Sequence, residues 1–261
     1  MKDLIITSLE TITAFDPASG NYLFTLDELQ NASIANTEEK VDITGKQGRK
    51  LSSLKRNKGV TISGANGLLS GGLMELQSGG TFENKATNVM WTDYLQVQSG
   101  AATTNYKAVG TAGAEIKGLY VRNGDGSLGD SLEQASTAAA GKFAYNPASK
   151  ALSFHSDIED GTEIVVYYER KITADVLRNE SDKYSKKAML YIDAIGEDRC
   201  ANIYRIQFFV PKADFNGEYS IDLGDDQVVQ NFEAEALAGA CGVAGTLWTY
   251  TVFGENAADT E

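Results

Sequence analysis

The chain has 261 residues, 42% of them hydrophobic, with 36 acids, 23 bases and a formal net charge of −13. That length is enough for one large β domain or two small ones with a real core, and the acidic balance argues against a surface given over to nucleic acid. A single histidine, His155, and two cysteines, Cys200 and Cys241, fall short of a four-ligand structural zinc site.

No segment has the roughly 7 to 15 apolar residues of a secretory h-region or the ~20 of a membrane helix. The run Leu4-Ile5-Ile6 ends at once in Thr7, Ser8 and Glu10. The expectation is a soluble protein made in the cytoplasm, without a membrane partner and with both cysteines as buried thiols. With 26 Gly and 3 Pro, turns depend on positive-φ positions more than on proline. The 12 Tyr, 10 Phe and 2 Trp suit pleated strands.

Taken in chain order, Leu4–Thr7 and Tyr22–Leu26 are short β-type runs separated by the turn cluster Asp16-Pro17-Ala18-Ser19-Gly20. Residues 31–56 are polar, charged and weakly periodic, and read as a long functional or disordered loop. Gly59–Gly64 alternates like a half-buried strand. Leu68–Gln77 places Leu68, Leu69, Leu73 and Leu76 at helical spacing, which predicts one short packing helix. Val89–Val97, Ile116–Val121 and Ala151–His155 are strand-like, and Ile164-Val165-Val166-Tyr167-Tyr168 suits a strand buried on both faces. Between them, a segment at about 110–140 has the look of an inserted hairpin, with a short helical turn over Asp130–Ala140. Met189–Ala194, Ile203–Val210, Tyr219–Leu223 and Trp248–Phe253 are further strands, and Asn256–Glu261 a frayed acidic tail. The class is mainly β, a single domain over 1–261, with no solenoid or propeller repeat.

Charge is polarised along this order. Between Lys40 and Lys58 stand Lys40, Lys46, Arg49, Lys50, Lys55, Arg56 and Lys58 against Asp42 alone, whereas Ala213–Glu261 holds acids and no base. The pattern suggests self-association, a basic loop of one subunit meeting an acidic surface of the next; the plain alternative is solvated faces. A nucleic-acid reading of the basic window lacks interleaved aromatics for base stacking.

Catalytic patterns do not assemble. His155 alternates with Leu152 and Phe154 as an outward strand residue would, and no GxSxG elbow accompanies it. Ser63–Gly72 is glycine-rich but lacks the Lys-Ser/Thr pair of a phosphate loop, leaving a tight strand-to-helix turn. Asn123–Ser127 and Asp222–Asp226 cluster carboxylates without the alternating ligand frame of an EF-hand, and Asp-Gly runs are ordinary turn chemistry. The expectation is a protein that is not an enzyme, with no catalytic, cofactor-binding or metal-ligating residues and no cofactor.

Two segments carry a family resemblance. One runs from Asp42-Ile43-Thr44-Gly45-Lys46-Gln47-Gly48-Arg49-Lys50-Leu51 through Lys55-Arg56-Asn57-Lys58 to Ile62–Leu73. The other comprises Ile206–Phe215, Leu223–Gln227, Phe232–Leu237 and Leu247–Tyr250. In order and separation they resemble the major tail tube proteins of phages of Gram-positive bacteria; about Gly80 to Glu197 resembles no named family. The resemblance implies a β-sandwich or barrel flanked by a helix, assembled as hexameric rings whose inner sheets form a continuous lumen and which stack into a tube in the virion. Its partners would be further copies of the chain, tail-tip or baseplate and terminator proteins, and DNA passing without sequence-specific contact. A long loop in the N-terminal third commonly reaches a neighbouring subunit, which here selects Lys46, Arg49, Lys50, Lys55, Arg56 and Lys58 as inter-subunit residues. Other β-structural roles are a tail terminator, a contractile-system tube or a surface β-sandwich module.

Overall fold

The computed structural model describes residues 3–222, 229–239 and 245–254. In chain order the strands are β1 (Leu4–Phe15), β2 (Tyr22–Leu26), β3 (Leu29–Thr44), β4 (Lys50–Asn66), then helix α1 (Gly71–Ser78), β5 (Glu83–Gln96), β6 (Ala101–Thr103), β7 (Ile116–Arg122) and β8 (Leu128–Ala135). They continue with β9 (Lys142–Asn146), β10 (Ala151–Phe154), β11 (Glu163–Val176), β12 (Lys187–Asp198), β13 (Ile203–Phe215), β14 (Ile221–Asp222), β15 (Val229–Ala236) and β16 (Thr249–Gly254). Among the described residues α1 is the only α-helix, and no helix is long and apolar enough to cross a membrane. The chain is mainly β. Where the sequence suggests one domain over 1–261, two compact units appear: the chain up to Phe82 together with Leu177 onward, and Glu83–Val176 between them. Each has its own apolar core.

The first unit is one antiparallel sheet in the order β2-β1-β12-β13-β15-β4-β3, with β14 on β15 and β16 on β13. Phe24 and Leu26 of β2 and Leu29 and Ile34 of β3 join the same core although these strands stand at opposite ends of that order, so the sheet curls upon itself. β12 shows why it is central: Ala188, Leu190, Ile192 and Ala194 are buried at every second position, the period of a pleated strand. Burying each large side chain contributes about 1.5–3 kcal/mol.

Helix α1 closes this core with Leu73 and Leu76. It starts at Gly71, later than the apolar spacing suggests, because Ser70 takes the N-cap position and its Oγ accepts from the Leu73 N–H at 3.3 Å. Leu68 and Leu69 stay outside the helix and are exposed. It stops at Gly79, in the left-handed region at φ 72, where a Cβ would fall 2.2 Å from the Tyr184 carbonyl oxygen. Two buried glutamines fix the helix to β15: Gln77 Nε2 donates to the Asn231 carbonyl at 3.0 Å and Gln230 Nε2 to Gln77 Oε1 at 3.2 Å, while Gln230 Oε1 accepts from the Ser70 N–H at 2.8 Å.

The second unit is a curled sheet in the order β5-β11-β7-β8-β9-β10-β6, antiparallel except for the β8–β9 pair. Residues 130–140, expected to hold a helical turn, begin with β8: pairing to β7 on one side and β9 on the other overrides the weak local propensity. The turn between β7 and β8 spends its Asp125 carboxylate on Ser127, accepting from its N–H at 2.9 Å and its hydroxyl at 2.6 Å. Buried Asp93 is fully satisfied by Trp91 Nε1, the Asn105 N–H and side-chain amide, and the Tyr168 hydroxyl at 2.7 Å. Burial, with Asp93 beside it, pushes the Tyr168 phenol well above its ordinary range.

Further expectations change. His155 lies one residue beyond β10, exposed, its Nδ1 3.0 Å from Asp157 Oδ1. Cys200 is exposed where a buried thiol was expected, because the β12–β13 turn is organised by Asp198, whose Oδ1 accepts from the Cys200 and Asn202 N–H groups. Cys241, the Asp225–Asp226 carboxylates and the tail 256–261 lie outside the described residues. The strand expected over Tyr219–Leu223 is seen at Ile221–Asp222, with Leu223 outside the described residues.

Candidate assembly surface

Residues 31–56, read from the sequence as a loop, are most of a long β-hairpin. β3 and β4 pair from Leu29↔Asn66 out to Thr44↔Lys50, around a single 3-10 turn at Lys46–Gly48. The alternation of Val41 and Ile43 and the Gly45–Gly48 turn make this possible despite the polar composition. Only the root is backed by other strands. β15 pairs β4 over Thr61–Asn66, and beyond Thr37 and Gly59 no third strand lies beside the two among the described residues. That leaves the six pairs from Glu39↔Arg56 to Thr44↔Lys50, on the order of 20 Å, as a free arm.

The arm is two-faced. Partners across an antiparallel ladder share a face, so Val41 with Leu54 and Ile43 with Ser52 line one side. Ile43, Leu51 and Leu54 are exposed there, Leu54 at 58% and Leu51 at 66%. The Leu51 side chain covers Gly45, where a Cβ would come within 2.8 Å of it.

All six residues singled out from the sequence lie on this arm. Lys50 meets Asp42 at 2.5 Å, Lys55 meets Glu38 at 2.7 Å and Arg56 meets Glu39 at 2.7 Å. Asn57 Nδ2 also donates to Glu39 Oε2. The Lys55 hydrogen bond, with Lys58 and Lys40 nearby, holds the Glu38 carboxyl below the usual range, and the Arg56 and Asn57 hydrogen bonds do the same for Glu39. Half of the chosen cations are therefore met inside the hairpin. Lys46 and Arg49 stand exposed at its tip. The charge window missed Glu38 and Glu39 because it opened at Lys40; starting two residues earlier finds both. The apolar face was legible only once the segment was read with a period of two.

Three further features of the first unit are open. A groove of about 700 Å³ runs between β3 and the inner face of β1, β12 and β13, lined by Ile6, Leu9, Ile34, Ile192, Phe208 and Trp248 among others. Trp248 Nε1 donates to Asn36 Oδ1 at 3.0 Å across its rim. β16 pairs with β13 and, among the described residues, with nothing on its other edge. On the outward side of β15, Glu233 and Glu235 are exposed, and Glu233 borders a depression of about 530 Å³ together with Glu218 and Ser63. The first unit thus carries a protruding ribbon, an apolar groove, an acidic hollow and, among the described residues, a free edge.

No curated protein matches the chain. A family model described as the YomU/Tube protein family matches residues 4–248. That span takes in the whole arm, the second unit and the first unit up to the residue before β16, and the chain belongs to the YomU/Tube protein family.

Proposed function

We propose that the chain is the structural subunit of a phage tail tube, closing into hexameric rings that stack around a lumen through which the genome passes into the host. The β3–β4 arm carries this reading. A two-stranded ribbon with uncovered Ile43, Leu51 and Leu54 is marginal alone in water, and a neighbouring subunit is what covers it. Family membership supports a tube-like structural protein of the virion. The free edge of β16 is where the sheet of one subunit continues into the next, which removes an edge otherwise open to aggregation.

The mechanism is assembly, with no bond made or broken and no cofactor. Lys46 and Arg49 at the arm's tip reach an acidic surface such as that of Glu218 and Glu233 on the next subunit. Acidic excess facing the lumen repels DNA phosphates, so the genome slides without sticking. Tail-tip or baseplate proteins start the tube and a terminator ends it; the subunit is made in the host cytoplasm and resides in the virion.

Negative-stain electron microscopy of the full-length protein at neutral pH tests this, with tail-tip proteins added if it stays monomeric. Six-fold rings or hollow tubes are expected. Monomers under both conditions would overturn the tube reading in favour of an isolated β module, and single rings that never stack would favour a terminator. Arg49→Glu with Lys46→Glu, which leaves the three internal ion pairs intact, is expected to give folded monomers and no tubes; normal tubes from it remove the tip cations from the interface. Reversing Arg49, Lys50, Lys55 and Arg56 together is a harsher variant, since it also opens the hairpin's own pairs.

A further inference from the structure

The second unit carries an aromatic face that the tube reading does not use. Strands β5, β11 and β7 lie side by side, and their register sets Tyr94, Val165 and Tyr120 in one row and Thr92, Tyr167 and Gly118 in the next. These six point away from the core, to which the alternate residues Ile164, Val166 and Tyr168 belong. Tyr94 is 67% exposed, while Val165, on the same outward face, is 1% exposed. Tyr120 crosses over Gly118, where a Cβ would come 3.0 Å from the ring, and meets Tyr167 edge to face at 6.2 Å. The glycine thus keeps the platform low. Tyr94 and Tyr120 stand two strands apart, about 9.5 Å, wide enough for more than one sugar ring.

Each end of the platform carries an ion pair. At one end the Arg122 guanidinium sits 5.5 Å from the Tyr94 ring centroid and donates to Glu163 at 3.2 Å. At the other, Lys117 is 3.7 Å from Glu169, which also accepts from Asn88 Nδ2 at 3.1 Å. The charges cancel in pairs, so the face offers no net field to a phosphate or carboxylate polymer. It does offer donors beside acceptors, the arrangement a hydroxyl satisfies with both its functions. The exposed long aliphatic side chain here is Met90, which is little for the apolar centre of a protein interface.

We propose that this face binds a neutral glycan. The exposed Tyr94 ring stacks on the C–H face of one pyranose, the Tyr120–Tyr167 pair, edge to face at 74°, borders the next sugar ring, and the paired polar ends take the hydroxyls. The inference stands apart from the tube reading and does not need assembly.

Full-length protein is titrated separately with cellohexaose, chitohexaose and maltohexaose, followed by saturation-transfer NMR and calorimetry. At least one hexasaccharide is expected to bind. Tyr94→Ala should weaken it about tenfold, the loss of one stacked ring, with an unchanged thermal midpoint, because Tyr94 is mostly in solvent. Tyr94→Phe keeps the ring and should stay within about threefold of the parent protein. Tyr184→Ala, at an exposed site in the first unit, should change nothing. Absence of saturation transfer from all three probes overturns the proposal. So does a Tyr94→Phe loss equal to that of Tyr94→Ala, which would assign the contact to the hydroxyl. Self-association that Tyr94→Ala abolishes, without any glycan signal, would give the face to a second copy of the chain instead.

Discussion

The inner and outer halves of the β3–β4 hairpin share two strands and meet at a register shift between Thr37 and Glu39, and they live in different surroundings. At the root, Val60 and Ile62 are buried and β15 pairs alongside. Farther out a bulge between Thr37 and Glu39 shifts the pairing, and Val41, Ile43 and Leu54 fall on the face opposite the one that Ile34 and Ile62 turn to the core; among the described residues no strand or helix covers them, and ion pairs to Asp42, Glu38 and Glu39 are the cross-strand contacts. The root is stable because of what lies beneath it. The arm is ordered by its own ladder and by weak, exposed charge pairs. A ribbon that opens a second apolar face beyond its own core is built for a surface supplied from elsewhere, and that is the physical content of the proposed subunit contact.

Substitutions separate the two halves. Ile62→Ala at the root empties a fully buried site and is expected to cost about 2–5 kcal/mol in denaturant unfolding of the unassembled protein. Leu54→Ala on the arm should change that stability by no more than about 0.5 kcal/mol while suppressing tube formation under the microscope. Equal stability losses at the two positions would mean the arm is covered within its own chain. The smallest effect is electrostatic. Glu38 and Glu39 are held below their ordinary value of 4.5 in the folded hairpin, so their stabilisation is fully present above that value and is lost as pH falls through the lowered ones. Amide exchange followed from about pH 6 to about pH 3, corrected for the intrinsic rate, should show arm amides losing protection before those of the root. Simultaneous loss would tie the two halves into one cooperative unit.

The sequence shows some of this plainly and hides the rest for identifiable reasons. Tyr22–Leu26 is legible to the residue because an Asp-Pro turn bounds it and its apolar positions meet a core. The arm is obscured by composition: Glu, Lys and Asn depress strand propensity, and the alternation of Val41 and Ile43 is the one signal left. β15 is hidden in the same way, since Phe232-Glu233-Ala234-Glu235-Ala236 reads as weak β, although burial alternates strictly along it. β8 is disguised because Ala and Gln near its end favour helix, and only pairing with two neighbours decides otherwise. Half of the six chosen cations prove to be occupied within the hairpin, a matter of register that no count of charges along the chain reveals. The tyrosine platform was out of reach for the same reason: Tyr94, Tyr120 and Tyr167 are scattered in sequence and meet only when β11 is laid between β5 and β7.

The second unit leaves and rejoins the chain through β5 and β11, whose outermost pair is Glu83↔Val176. Its two ends are therefore about 4.5–5.5 Å apart at the Cα atoms. Close by, Gly80 lies against the Arg178 backbone so tightly that a Cβ would sit 2.7 Å from its carbonyl oxygen. An excision between Phe82 and Leu177 would leave a gap that a tight turn can bridge. In this sense the segment is a cassette: it can be shortened, exchanged or displayed with a foreign sequence while the curled sheet that holds the arm keeps every strand it has.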